Sequence, residues 1–182
     1  MIFEIRKATA NDILQISELI TESVRALGKG YYSEGQIELS IGSVFGVDVE
    51  LIADGTYFVA ESEGKIVGSG GWSRRRTLYG ASVYQEGRDS ALLDPSRDAA
   101  KIRAFFVHPS AARQGIGRAI LGACEAEIRS DGFGLAEMMA TLPGVPLYSA
   151  CGYSGGESVA VPVGNDLSVE CVRMTKTISL IE

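Results

Sequence analysis

The chain has 182 residues, 46% of them hydrophobic and 22% charged, with a formal net charge of −6. That composition suits one well-buried core and holds no low-complexity tract, so a single domain over residues 1–182 is expected. The acidic balance argues against a protein that coats nucleic acid, which needs a basic face to displace counterions; the absence of a long apolar run argues against a membrane partner, and the charged start "MIFEIRKATANDILQ" points to a cytoplasmic protein.

The first element expected is a half-buried strand in "FEIRKAT" (3–9), where apolar and polar residues alternate, with Thr9 or Asn11 capping the next element. Over 12–27, Ile13, Ile16, Leu19, Ile20 and Val24 recur at three- and four-residue spacing and predict a helix stopped by Gly28 and Gly30. A second helical segment is expected within 33–52, interrupted by "GSVFGVDV". "TYFVAES" (56–62) and "KIVGSGGWS" (65–73) then read as two strands of a hairpin around Glu63-Gly64. Residues 74–100 carry Arg74, Arg75 and Arg76 and little periodicity; a connection of that length is either functional or partly disordered, and its arginines read as solvated.

Beyond it, the pattern predicts a strand over 101–108, a helix over 115–130, a strand over 134–142 and a short helix over 146–152. Two antiparallel strands, "ESVAVPV" and "SVECVRMTK", close the chain around Gly164-Asn165-Asp166. The sum is an α/β fold with a mixed central sheet flanked by helices. Cys124, Cys151 and Cys171 are widely spaced and form no CxxC pair, so they read as buried thiols and no metal site is expected. The single histidine, His108, precedes a proline at the end of an apolar run and reads as a strand-end or turn residue.

The informative stretch is "FFVHPSAARQGIGRAIL" (105–121). A helix start carries unpaired N–H groups and the positive end of the helix dipole, and glycines at 115 and 117 would let a phosphate approach them. Arg113 and Arg118 flank that position and supply local positive charge. Neither GxxxxGK[ST] nor a complete GxGxxG is present.

With its strand ending in "VHP", the "ARQGIGRAIL" loop and helix, a following strand and "LYSACGY", the chain resembles the GNAT superfamily of N-acetyltransferases, most strongly over 102–153. The resemblance implies a GNAT-like fold in which this loop grips the pyrophosphate of acetyl-CoA, and in which the preceding strand splays from its neighbour to pair with the pantetheine arm. It places Gly115 and Gly117 on the family's glycine positions, with Arg113, Gln114, Ile116 and Arg118 around them, and Phe106 and Val107 at the strand end behind the pantetheine. Ala112 departs from the pattern, standing where the family has Arg or Gln; Thr141 stands where many members carry a cofactor-contacting Asn. Tyr148 matches the tyrosine that protonates the departing thiolate, and Tyr153 the packing aromatic at the end of that element.

The resemblance further implies transfer of an acetyl group to a primary amine of a small molecule or peptide by direct attack in a ternary complex. No residue identifies itself as the base that frees the amine; Glu34, Glu38 and Glu137 are candidates, each also readable as a solvated carboxylate. Arg103 either favours an acidic acceptor or pairs with a carboxylate, and Trp72 ends its strand near the expected acceptor entrance. The alternatives are a non-catalytic acyl-CoA-binding domain and an unrelated nucleotide-binding protein. A homodimer through the last strands or through 74–100 is left open.

Overall fold

The computed structural model describes residues 1–179. Seven strands form one sheet in the order β1-β2-β3-β4-β5-β7-β6: β1 Glu4–Lys7, β2 Tyr57–Ser62, β3 Lys65–Ser73, β4 Ala100–Val107, β5 Leu135–Thr141, β6 Ser154–Gly164 and β7 Leu167–Thr177. Only β4 and β5 run parallel; every other neighbouring pair is antiparallel. Five α-helices accompany them: α1 Ile13–Leu27, α2 Glu34–Ser40, α3 Val49–Ala53, α4 Ile116–Ser130 and α5 Val145–Ala150. Among the described residues no helix is long and apolar enough to cross a membrane.

The period-2 pattern of the strands sorts the core into two layers. Tyr57 and Val59 of β2 pack with Ile16, Leu19 and Ile20 of α1, whereas Phe58 and Ala60 pack with Ile120, Leu121 and Cys124 of α4. At its start α1 is fixed by Thr9, whose N–H donates to Asp12 Oδ2 at 2.7 Å, while Arg6 grips both Asp12 oxygens at 2.8 Å. The expected helical stretch within 33–52 is two short helices. Ile41 leaves α2 in an extended conformation and Gly42 follows with φ +74°, so the chain turns where a helix would have continued.

Two irregularities open the middle of the sheet. First, β4 pairs with β5 only from Ala100 to Ile102, so Arg103–Val107 diverges from Met139–Thr141. Second, β4 carries a bulge. Gly71 lies opposite Arg103 and Ser69 opposite Phe106, which sets Gly70 against both Ala104 and Phe105, and Ala104 takes φ +57°. The extra residue reverses the alternation. Ile102, Phe105 and Val107 face the α4 layer, while Ala104 and Phe106 face the α1 layer. Gly70 makes the bulge possible, since a Cβ there would lie 2.7 Å from the Phe105 ring.

Residues 74–99 contain no helix or named strand, but they are pinned. Arg75 forms paired 2.7 Å bonds to Asp54, Arg74 meets Asp131 at 2.9 Å and lies over the Trp72 ring, and Arg76 N–H donates to Ala91 O. The reading of Arg74 and Arg75 as solvated is therefore corrected: Asp54 and Asp131 hold them. Trp72 is also displaced from its expected place at the acceptor entrance. It is 1% exposed in the α4 layer, packed edge-on against Phe133, and its Nε1 donates to Glu127 at 2.8 Å.

Candidate active site

The divergence of β4 from β5 leaves a cleft that Ala112 and Arg113 border just before the N-terminus of α4. The turn before α4 holds Arg113 at φ +63° and Gly115 at φ +86°, and Gly115 is the N-cap without a side-chain cap. Among the described residues, the N–H groups of Gln114, Gly115, Ile116, Gly117 and Arg118 find no acceptor. This is an anion-binding arrangement by its local geometry: successive donors converge at the positive end of a 15-residue helix. Arg113, Gln114 and Arg118 are exposed around it, and neither arginine has a carboxylate partner among the described residues.

The two glycines serve different needs. Gly115 supplies the left-handed turn, and a Cβ there would meet nothing. Gly117 is buried, and a Cβ there would stand 2.8 Å from Leu147 Cδ2, so its missing side chain lets α5 seat against α4. Through that contact the glycine positions Tyr148, one residue further on.

Tyr148 is 7% exposed, and its ring meets Phe105 and Tyr153 edge-on at 6.1 and 6.2 Å. Its hydroxyl makes no hydrogen bond within the described residues, and burial pushes the phenol well above the ordinary tyrosine range. The group therefore keeps its proton throughout the neutral range and has it free to donate.

Two cavities meet at this tyrosine. The larger, of about 320 Å³, runs along α1 and the loop before α4 and is lined by Leu27, Tyr31, Val107, Ala112, Arg113 and Leu147. The smaller, of about 70 Å³, lies beyond the bulge among Phe45, Tyr79, Gly80, Arg103, Met139 and Cys171. Phe45, Phe105, Phe106, Thr141 and Tyr148 border both. Sequence reasoning named Phe106, Val107, Arg113, Thr141 and Tyr148 among these. It missed Phe105, Phe45 and Tyr31; the glycine-rich "GSGG" of β3 was the available signal, since glycines inside a strand mark a bulge or a close approach.

Tyr32 braces the far end of β5. Its hydroxyl donates to Glu170 O at 2.7 Å and accepts from Leu142 N–H at 2.9 Å. His108 is a turn residue, as expected. Ser110 N–H donates to Nδ1, leaving Nε2–H to bond Glu22 of α1 at 2.6 Å, which ties the loop before α4 to α1.

The candidate bases are not gathered at the site. Glu137 is held by Lys101 and by Arg173 at 2.6 Å; burial is the largest single influence and raises its carboxyl, but the two cations together outweigh it and carry the group below the usual range. Glu38 forms paired 2.8 Å bonds to Arg25, and Glu34 and Glu38 border a separate surface groove beside Lys29. Among the described residues, no carboxylate or imidazole lines either cavity at Tyr148. Nor do the described residues contain a group of three His, Cys, Asp or Glu side chains placed to hold a metal. Cys124 and Cys171 are buried free thiols and Cys151 is half-buried.

Arg103 pairs with a carboxylate. Its guanidinium contacts Asp48, and its Nη2 donates to Gly80 O at 2.9 Å. Asp48 Oδ1 in turn accepts from Ser82 Oγ and Arg88. Burial draws the Arg103 guanidinium below the usual arginine range, against the pull of Asp48 and Glu50.

A family model described as an acetyltransferase (GNAT) domain matches residues 53–154. Among solved structures, the chain is similar to a GCN5-related N-acetyltransferase from Rhodopseudomonas palustris, with 19% identity over 97% of this chain and 98% of that one and a TM-score of 0.69. It is also similar to the PaiA N-acetyltransferase of Thermoplasma acidophilum in complex with coenzyme A, with 16% identity, 97% and 99% coverage and a TM-score of 0.65. A third is YncA, a putative acetyltransferase from Salmonella typhimurium with acetyl-CoA, at 16% identity, 100% and 97% coverage and a TM-score of 0.64. The comparison with curated proteins found no match. The family model spans more than half of the chain and includes β4, the α4 loop and Tyr148; the protein belongs to the GNAT acetyltransferase family.

Proposed function

We propose that this protein transfers the acetyl group of acetyl-CoA directly to a primary amine in a ternary complex. The observation that carries the reading is a cleft that runs from Arg113, next in the chain to five free backbone donors at the α4 N-terminus, to the unbonded Tyr148 hydroxyl. The residues present fit the cosubstrate. Gln114–Arg118 N–H groups, with Arg113 and Arg118, would take the pyrophosphate, and the unpaired edge of β4 at Phe106 and Val107 would take the amides of the pantetheine arm. Ala112, where the family carries a longer polar side chain, lines the larger cavity and leaves this grip to the backbone. Thr141 stands beside Tyr148 with its hydroxyl free for the same arm.

In the reaction, the amine nitrogen bonds to the thioester carbonyl carbon, the carbon–sulfur bond breaks, and Tyr148 gives its proton to the leaving sulfur. The acceptor nitrogen sheds its protons to water and Tyr148 regains one from water, because no carboxylate or imidazole borders the reacting point among the described residues. That same feature favours one other reading, an acyl-CoA-binding domain without catalysis. Mixing the purified protein with acetyl-CoA and a panel of primary amines, and following free thiol, tests the choice. Turnover with any amine supports the transferase; calorimetric binding of CoA with no thiol release from any amine supports the binding domain.

A further inference from the structure

We propose that the amine acceptor also bears a carboxylate, and that Arg103 reads it. The inference deepens the acetyl-transfer reading and rests on it. Arg103 is a cation on β4 whose side chain is 1% exposed, yet it lines the small cavity that meets Tyr148 and Thr141. Its Nη2 donates to Gly80 O and contacts Asp48, but Nε and Nη1 have no hydrogen-bond partner, and neither has Asp48 Oδ2. Glu50, at 4.0 Å from Nη1, is beyond hydrogen-bond range.

A buried guanidinium with idle donors is costly to maintain, so their natural explanation is a partner that arrives with the ligand. The charges behind Arg103 do not cancel this demand. Asp48 and Glu50 are matched by Arg88, which contacts them at 3.3 and 3.2 Å, so with Arg103 the four groups balance. Of the four, only Arg103 lines the cavity; the two acids stand behind it. The charged group on the cavity wall is therefore a guanidinium, with no carboxylate beside it there. The remaining lining is largely apolar, among it Phe45, Phe106, Met139 and Val161, with the side-chain hydroxyls of Tyr79, Thr141 and Tyr148 as uncharged donors. An amine without an acidic group would leave Nε and Nη1 as they are. An amino acid or another compact amino carboxylate would satisfy them while its nitrogen faces the Tyr148 end.

The test compares matched pairs: L-amino acids and β-alanine against their carboxamides, with acetyl-CoA present and free thiol as the readout. For the preferred acceptor, the acid is expected to exceed its amide at least about 100-fold in kcat/KM, because a site built for the carboxylate rejects its uncharged analogue. In Arg103→Gln that ratio should fall below about threefold. Since the variant strips Asp48 of a partner and can lose the fold, the wild-type ratio is decisive by itself. Equal use of acid and amide would overturn the proposal and leave acetyl transfer standing, with water as the occupant of the donors. If no amine is acetylated, the transferase reading fails. The CoA-bound protein is then titrated with the same acids by NMR, where saturable shifts absent for the amides support the Arg103 site and none overturns it.

Discussion

The cleft on the α4 side of Tyr148 is drawn from residues 23–32, 105–113 and 141–148, and the polar groups next to it in the chain are backbone ones: the free N–H groups of 114–118 and an unpaired strand edge. The Arg103 side gathers residues 44–46, 78–80, 161 and 171, held by ion pairs from Asp48, Glu50 and Arg88. The contrast separates two kinds of recognition. A site made of main-chain donors in one contiguous stretch tolerates side-chain departures such as Ala112, whereas a site made of side chains from distant segments is specified by each of them.

The largest effect expected from breaking the first side is at its reacting end. Tyr148→Phe should lower kcat about 10²- to 10⁴-fold with the KM for acetyl-CoA little changed, measured by thiol release. A mutant with wild-type kcat would remove the proton-donor role. Next comes a control on the base. Glu137→Gln should cost about 3 kcal/mol of stability in denaturant, because it breaks a buried charge set with Lys101 and Arg173, while kcat/KM stays within about threefold. A large loss of activity in a folded variant would return Glu137 to the mechanism.

The two glycines sharpen the same comparison at smaller scale. Gly117→Ala should destabilise by about 1–3 kcal/mol through overpacking against Leu147, and should lower kcat because α5 carries Tyr148. Gly115→Ala should cost about 1–2 kcal/mol from its left-handed backbone and weaken CoA binding, with little effect on kcat at saturation. Steady-state kinetics beside thermal melts distinguish the two. If both variants changed kcat alike, the division of labour between them would be wrong.

The smallest effect lies away from the cleft. Arg6 holds the Asp12 carboxyl down to about 2 from an ordinary 3.8. The folded pKa is the lower one, so the stabilisation is full above about pH 4 and is lost as pH falls from there through about 2. The melting temperature should drop over that window, and Asp12→Asn should drop less, starting from a lower value.

Legibility in the sequence followed the same division. The α4 loop and the Tyr148 helix were readable because glycine spacing, arginines and an aromatic lie close together along the chain, and helix geometry does the rest. The gap beside β4 was implied by the family resemblance, whereas the order of the strands in the sheet was not read at all. The "GSGG" of β3 signals a bulge or a close approach but not its position in β4: that Ala104 is the extra residue depends on pairing with Gly70, and a one-residue slip exchanges the layers of Phe105 and Phe106. The fate of the charges was not readable either. Arg75 finds Asp54, and Arg88 joins the Arg103–Asp48 pair, only after the connection 74–99 packs against residues 44–54, so solvated and paired arginines look alike in the sequence.

The central claim is that one cleft holds the diphosphate at α4 and the reacting sulfur at Tyr148. A crystal structure of the CoA complex measures both at once. The account predicts pyrophosphate oxygens about 3 Å from backbone nitrogens within Gln114–Arg118, and the CoA sulfur about 3–4 Å from the Tyr148 hydroxyl. A diphosphate seated away from α4, or a sulfur well beyond reach of that hydroxyl, would contradict it.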